Sequence, residues 1–227
     1  MARDPYLEFG DVVKSHVIYR RPDGDVVPGT TSISGQLSKP ALVPWAVKME
    51  RQGLDYAAIS HESQKVGTLA HEMVRCQFAG IEPDLDSYSP RHVELAQNAL
   101  SKFLSYSRQN ELEPLLVEKQ LVSEEHRYGG TIDFFGKRAG KLAHVDWKTG
   151  SGVYREHYYQ AAAYWNLLRE NGYEADEVWI VRIGRDEDGD FEEHRVGYLE
   201  MRFEAFCNLL SFRETDGWLE RAGSSGG

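Results

Sequence analysis

Between Leu115 and Lys148 the chain runs through three short apolar segments joined by turns, and two of them carry an acid in their interior. LLVEKQLVS (115–123), YGGTIDFFGK (128–137) and KLAHVDWK (141–148) read as strands, with Asp133 inside TIDFF and Asp146 inside AHVDWK. A carboxylate within a run that otherwise looks like sheet core is costly unless a cation or strong donors meet it. Side chains alternate between the two faces of a strand. Asp146 and Lys148 therefore share a face, with Trp147 opposite; Thr131, Asp133 and Phe135 share one, as do Leu116, Glu118 and Gln120. If the strands pair as a meander, Glu118, Asp133, Asp146 and Lys148 converge on one patch. Three acids and a lysine make a site for a hard, oxygen-preferring cation such as Mg²⁺ or Mn²⁺. Such an ion polarises a phosphate and activates water, and Lys148 would orient that water or stabilise developing charge.

The rest of the chain frames these strands. VIYRRPDGDVV (17–27) predicts a hairpin around the turn PDGD. Helices are expected over 40–53, with Pro44 in the first turn, over 62–79, with Val66, Leu69, Met73 and Cys76 at helical spacing, and over 90–109. After the strands come a helix over 155–171, strands over 177–183 and 191–199 around the acidic turn RDEDGD, and a last helix over 201–214. This order predicts a mixed α/β core, a central sheet flanked by helices, with an N-terminal helical layer. The expected organisation is one domain over 1–222, its hairpin and helices in 1–110 and its core in 111–222, followed by a flexible tail at 223–227.

Composition narrows the function classes. The net charge of −10 counts against a nonspecific nucleic-acid coat protein, which needs a basic surface, but not against a nucleic-acid enzyme, because bound cations and a local basic groove offset a global charge. Cys76 and Cys207 are the two cysteines, and no C-x-x-C pair exists, so neither a structural zinc nor an iron–sulfur cluster is expected. No apolar run approaches the roughly 18 residues that span a bilayer. No secretory or mitochondrial leader is visible, so a cytoplasmic, reducing setting is expected.

Asp133, then a short hairpin, then Asp146-Trp147-Lys148 resembles the D…(D/E)-x-K core of the PD-(D/E)XK nucleases. Further residues extend the resemblance over about 28–185. His71 in GTLAHEMV resembles the helix-borne histidine of the RecB-type branch, Gln160 and Tyr164 in YYQAAAYWNLL resemble its Q-x-x-x-Y motif, and GTTSISGQLSKPALVPWAVKM is similar to the opening of phage exonucleases. The resemblance implies a restriction-endonuclease-like core. It implies that Asp133 and Asp146 hold the metal, with His71 and the Trp147 carbonyl completing the shell, Glu118 as an upstream acid, and Gln160 and Tyr164 positioning the substrate strand. It implies a metal-dependent DNA exonuclease of the cluster-free type, in the cytoplasm of a bacterial host or phage-infected cell, serving phage or prophage DNA recombination or repair. DNA with a free end would be the substrate, a phage annealing protein a further partner, and both monomers and rings occur among relatives.

Plainer readings stand beside these. Asp133 near a Gly-Gly turn also suits an edge residue, Asp146 with Lys148 a surface pair, Glu118 a solvated strand position, His71 a packing residue, and Gln160 and Tyr164 ordinary helix surface and core. Other motifs fail on spacing. His71-Glu72 would open H-E-x-x-H, but Arg75 occupies its last position; GKRAGKL lacks the P-loop pattern; RDEDGD has Gly189 in the wrong place for a calcium loop. The rivals to an exonuclease are an endonuclease of the same superfamily, a metal hydrolase acting on something other than nucleic acid, and a non-catalytic nucleic-acid-binding or assembly protein that kept the fold.

Overall fold

The computed structural model describes residues 8–10, 17–37, 42–185 and 191–224. In chain order its elements are β1 (Glu8–Phe9), β2 (Tyr19–Arg20), β3 (Val26–Val27), α1 (Thr30–Ser34), α2 (Leu42–Arg51), α3 (Tyr56–Ala79), α4 (Pro90–Gln109), β4 (Glu113–Ser123), β5 (Tyr128–Arg138), β6 (Lys141–Lys148), α5 (Arg155–Glu170), β7 (Glu177–Ile183), β8 (Phe191–Arg195) and α6 (Leu199–Ser224). The main sheet has six strands in the order β1-β4-β5-β6-β7-β8, and β2 pairs with β3 in a separate hairpin. β4, β5 and β6 form the expected antiparallel meander. α5 then crosses over so that β7 lies parallel to β6, and β8 returns antiparallel. The sheet is therefore mixed, with helices on both faces.

Local chemistry sets the helix ends. α3 begins at Tyr56, earlier than its apolar spacing indicates, because the Asp55 carboxylate accepts the Ala57 and Ala58 N–H groups. It stops at Gly80, which takes a left-handed φ of 66°. α4 has Pro90 in its first turn, and Ser89 and His92 satisfy each other's backbone N–H groups at its start. β8 ends at Arg195, short of the predicted strand, and α6 extends both ways beyond its predicted span. Gly223 and Ser224, read as part of a loose tail, fall within α6. Most of the acidic turn, 186–190, lies outside the described residues, as do 40–41 at the start of the first predicted helix.

Two cores sandwich the sheet. α3 and α4 bury Leu69, Met73, Ala96 and Phe103 against Val117, Phe134, Val145, Trp147 and Val181. α5 and α6 bury Leu167, Leu168, Phe206 and Leu210 against Leu116, Leu121, Tyr128, Ile132 and Phe135. Among the described residues no helix is long and apolar enough to cross a membrane.

Candidate metal centre

The acids gather where the sheet forks. The β5–β6 ladder runs from Arg138↔Lys141 only as far as Phe134↔Val145. β6 continues beside β7 to Lys148↔Arg182, while β5 continues beside β4 to Tyr128↔Ser123. Asp133 is the first residue past the split, and its Oδ2 accepts the Trp147 N–H at 3.0 Å across the gap. The acids lie along this fork.

Strand alternation fails at this point. Val117 and Leu121 lie four apart and would share a face of a regular strand, yet they pack in opposite cores. The phase changes between them, where Glu118 takes a positive φ of 49°. On β5, Ile132 and Phe134 also pack in opposite cores, on either side of Asp133. The expectation that Glu118 shares a face with Leu116, and Asp133 with Phe135, is therefore corrected. Leu116 and Phe135 face α5 and α6, whereas Glu118 and Asp133 reach His71 on α3. A left-handed conformation at a non-glycine residue costs on the order of 1–3 kcal/mol and is held by its surroundings. Part of that hold is Gly10, whose N–H donates to the Val117 carbonyl at 2.9 Å. A Cβ on Gly10 would fall 1.7 Å from the Glu118 carbonyl oxygen, so only glycine lets the chain lie flush on the distortion.

His71 Nδ1 stands 2.8 Å from Glu118 Oε1 and 3.6 Å from Asp133 Oδ1. One ligand atom from each of His71, Glu118 and Asp133 falls within 4.8 Å of the others. Asp146 is not a member of that trio. Its carboxylate is turned to Lys148, whose Nζ lies 2.8 Å from Oδ1 and 2.7 Å from Oδ2. Only the Oδ1 contact has hydrogen-bond geometry; Oδ2 is ion-paired without a hydrogen bond. The expected ligand set was His71, Asp133 and Asp146; the structure groups His71, Glu118 and Asp133 beside the Asp146–Lys148 pair.

Glu118, Asp133 and Asp146 are 3 %, 7 % and 0 % exposed, so their mutual repulsion is poorly screened. Burial pushes the Asp133 carboxyl well above the usual range, and the charges of Glu118 and Asp146 push further. Burial opposes charge on His71, but Asp133 and Glu118 outweigh it and raise its pKa to about 9. Lys148 follows the same pattern: burial opposes its charge, and Asp146 and then Asp133 raise its pKa above the ordinary value. Crowded acids that draw protons and cations to themselves form a donor set suited to a divalent ion, with carboxylate oxygens and one imidazole. Asp133, Glu118 and His71 could hold such an ion.

Gln160 and Tyr164 sit one turn apart on α5, buried together. Gln160 Nε2 donates to the Tyr164 hydroxyl at 2.8 Å and to Thr31 Oγ1 at 2.9 Å. Tyr164 meets the His144 ring edge-on at 5.7 Å. The His144 Nδ1–H donates to the Phe134 carbonyl at 2.9 Å, and burial lowers its pKa against the opposing charge of Asp146. Sequence reasoning did not pick out Thr31, His144 or Tyr19, whose hydroxyl lies 2.9 Å from Thr131 Oγ1. The one visible hint was the pair Gly129-Gly130. A Cβ at Gly129 would meet Tyr19, and one at Gly130 would meet Tyr164 and Thr30. A second grouping, Glu125, His126 and Glu170, forms near the β4–β5 turn. There Glu170 already accepts from Ser123 and Asn166, and Glu125 is exposed.

Fold and site together define an α/β protein with a mixed sheet that splits around two buried acids, a half-buried histidine and an adjoining Asp-Lys pair. The sequence matches no known family profile, and no characterised protein matches it in sequence. Several solved structures superpose loosely on it. An alkaline exonuclease of Laribacter hongkongensis, LHK-Exo, aligns at 13 % identity over 70 % of this chain and 84 % of its own, with a TM-score of 0.35. Its complex with dAMP aligns at 12 % identity over 72 % and 91 %, with a TM-score of 0.36. A candidate exonuclease of Eubacterium rectale aligns at 11 % identity over 80 % and 73 %, with a TM-score of 0.34. Superpositions this loose do not define the activity of this chain.

Proposed function

We propose that this chain is a divalent-cation-dependent nuclease of the PD-(D/E)XK superfamily, RecB-type branch, acting as an exodeoxyribonuclease with Mg²⁺ or Mn²⁺. The observation that carries the reading is the His71–Glu118–Asp133 trio at the sheet fork, beside the Asp146–Lys148 pair. A structural ion pair would need no such crowding of buried acids, and a degraded, non-catalytic relative would not keep Asp133, Asp146 and Lys148 together. The preference for free DNA ends, and a role in phage or prophage recombination or repair, rest on the resemblance of residues 29–49 to phage exonucleases.

A cation held by His71, Glu118 and Asp133 would supply positive charge that polarises a phosphoryl oxygen and acidifies water. Asp133 is kept in line by the Trp147 N–H, so its Oδ1 points at His71. Asp146 anchors the Lys148 ammonium at the mouth of the fork. From there Lys148 would orient the attacking water and offset charge on the phosphoryl oxygens as the new P–O bond forms and the bridging P–O bond breaks, the water's proton leaving to solvent and the departing oxygen taking one up from solvent. Gln160 and Tyr164, braced by Thr31, form the α5 wall against which the substrate strand lies.

The test is digestion of end-labelled linear and covalently closed circular DNA, single- and double-stranded, with Mg²⁺, Mn²⁺ or EDTA, using wild type, Lys148→Ala and Asp133→Asn. Loss of linear DNA alone, dependent on metal and absent in both variants, is expected. Cutting of closed circles would replace exonuclease by endonuclease. Full activity in a folded Lys148→Ala protein would remove the mechanism.

A further inference from the structure

The stretch of β5 that carries Asp133 has lost its β6 neighbour. From Asp133 back to Tyr128 its only strand partner among the described elements is β4. On the other side a single backbone bridge, Gly29 to Gly129 with the Gly129 N–H on the Pro28 carbonyl at 3.0 Å, is joined by side chains. Two tyrosines supply these from opposite faces. Tyr164 of α5 packs on Gly130, where a Cβ would stand 2.5 Å from its ring. Tyr19, from the β2–β3 hairpin, packs on Gly129, where a Cβ would stand 2.4 Å from Tyr19 Cβ and Cγ. Gly29, bridged to Gly129, gives way to the same ring: a Cβ there would come within 2.9 Å of Tyr19 Cε2. The Tyr19 hydroxyl then meets Thr131 Oγ1 at 2.9 Å, two residues before Asp133.

The hairpin is tied to β5 by the Gly129 N–H on the Pro28 carbonyl at 3.0 Å and by Thr30 Oγ1 on the Gly129 carbonyl at 2.8 Å. Arg21 with Glu124 and Arg127 with Asp25 pair at 2.9 and 3.0 Å, but the acids are more than half exposed, and such pairs contribute little. Tyr19 is the tie that reaches past Gly129 to Thr131. It also lies near enough to the acids for burial first, and then the charges of Asp133 and Glu118, to raise its pKa.

We propose that Tyr19 is a positioning residue of this site: its ring on Gly129 and its hydroxyl on Thr131 hold the Thr131–Asp133 segment so that Asp133 faces His71 and Glu118. It touches neither substrate nor ion, and its influence reaches the chemistry through Asp133. The inference rests on the nuclease reading for its kinetic consequence, but its effect on cation affinity stands apart from turnover.

The experiment uses the full chain with Tyr19→Phe, Thr131→Val and the double variant, and Tyr19→Ala as the larger perturbation. Folding is checked by circular dichroism, Mn²⁺ affinity by calorimetric titration, and kcat and KM on end-labelled DNA. Loss of one hydrogen bond that orders an acid should weaken Mn²⁺ binding about 2- to 10-fold in Tyr19→Phe. Thr131→Val should match it, and the double variant should be no weaker than either single one, because both remove the same bond. kcat should fall while KM for DNA stays unchanged. Unchanged Mn²⁺ affinity in folded Tyr19→Phe and Thr131→Val overturns the proposal, as does a rise in KM alone, which would make Tyr19 a substrate contact. Wild type that binds Mn²⁺ but cleaves no DNA would fail the nuclease reading, and the affinity series would still decide for or against Tyr19. Wild type that binds no Mn²⁺ would overturn both.

Discussion

Asp133→Asn should separate cation binding from folding, because the structure sets two effects of different size. The variant's side-chain carbonyl can still accept the Trp147 N–H that Asp133 Oδ2 accepts at 3.0 Å. The charge it removes is one the metal-free fold tolerates poorly, since three buried acids face two bases, Lys148 and His71, and burial with Glu118 and Asp146 already drives Asp133 toward its neutral form. Without metal, the variant should lie within about 1 kcal/mol of wild type, whereas breaking a well-satisfied buried ion pair costs about 3–5 kcal/mol. Cation binding responds far more. A ligand at about 100 times its dissociation constant stabilises by about 2.7 kcal/mol. At about 2–4 °C per kcal/mol for a chain of this size, wild type should gain about 5–11 °C in Mn²⁺. The variant should gain less than about 2 °C at the same concentration. Scanning calorimetry in EDTA and in Mn²⁺ measures both. A variant that loses several degrees in EDTA yet keeps the whole Mn²⁺ shift would refute the reasoning: Asp133 would then be a structural acid and the cation site would lie elsewhere.

The remaining predictions concern its neighbours. Lys148→Ala leaves Asp146, fully buried, without its ion-pair partner, so alongside the loss of turnover it should destabilise the metal-free protein by about 3 kcal/mol; an unchanged Tm in EDTA would show that Asp146 is neutral or otherwise satisfied. Gly130→Ala drives a Cβ to 2.5 Å from the buried Tyr164 ring and should cost about 1–3 kcal/mol by thermal or urea unfolding, and a variant as stable as wild type would mean that the clamp around Asp133 is loose. Glu177 accepts from Lys141 at 2.9 Å and from Trp179 Nε1 at 3.1 Å, and the Lys141 bond leads in lowering its pKa. Its folded pKa lies below its unfolded one, so its stabilisation is complete above the ordinary Glu value of about 4.3 and fades as pH falls through the folded value. The Tm gap between wild type and Glu177→Gln should therefore be widest near neutral pH and close under acid conditions; a gap that persists in acid would place the effect in packing rather than charge.

Much of this protein is written locally. The three strands from Glu113 to Lys148, the helix from Arg155 and the strand from Glu177 fall where period-two and helical spacing put them, because those periodicities depend on near neighbours only. The acids within the strands, the Asp146-x-Lys148 spacing and the histidine on α3 are likewise visible as residues out of place in their surroundings, which marked them as candidates before any contact was known. The errors are also informative. The helix start at Asp55 and the helix end at Ser224 depart from the expected bounds because a cap, or further turns at an end, are decided by single side chains or by packing, not by period.

Tertiary structure decided who meets whom. Regular alternation set Glu118 beside Leu116; the chain instead twists through a left-handed Glu118, pressed by Gly10, and delivers that acid to the opposite side of the sheet. Nothing local announces a positive φ at a glutamate, since its cost is met by contacts from a strand more than a hundred residues earlier in the chain. The same holds for the division of the acids into His71–Glu118–Asp133 and Asp146–Lys148, for Thr31 bracing Gln160, and for Tyr19 over Gly129. The sequence by itself singled out the candidate residues of the site, because composition and period are properties of short segments. Only the tertiary structure decided how they pair, because that depends on where β5 parts from β6 and on which helices fill the space on either side.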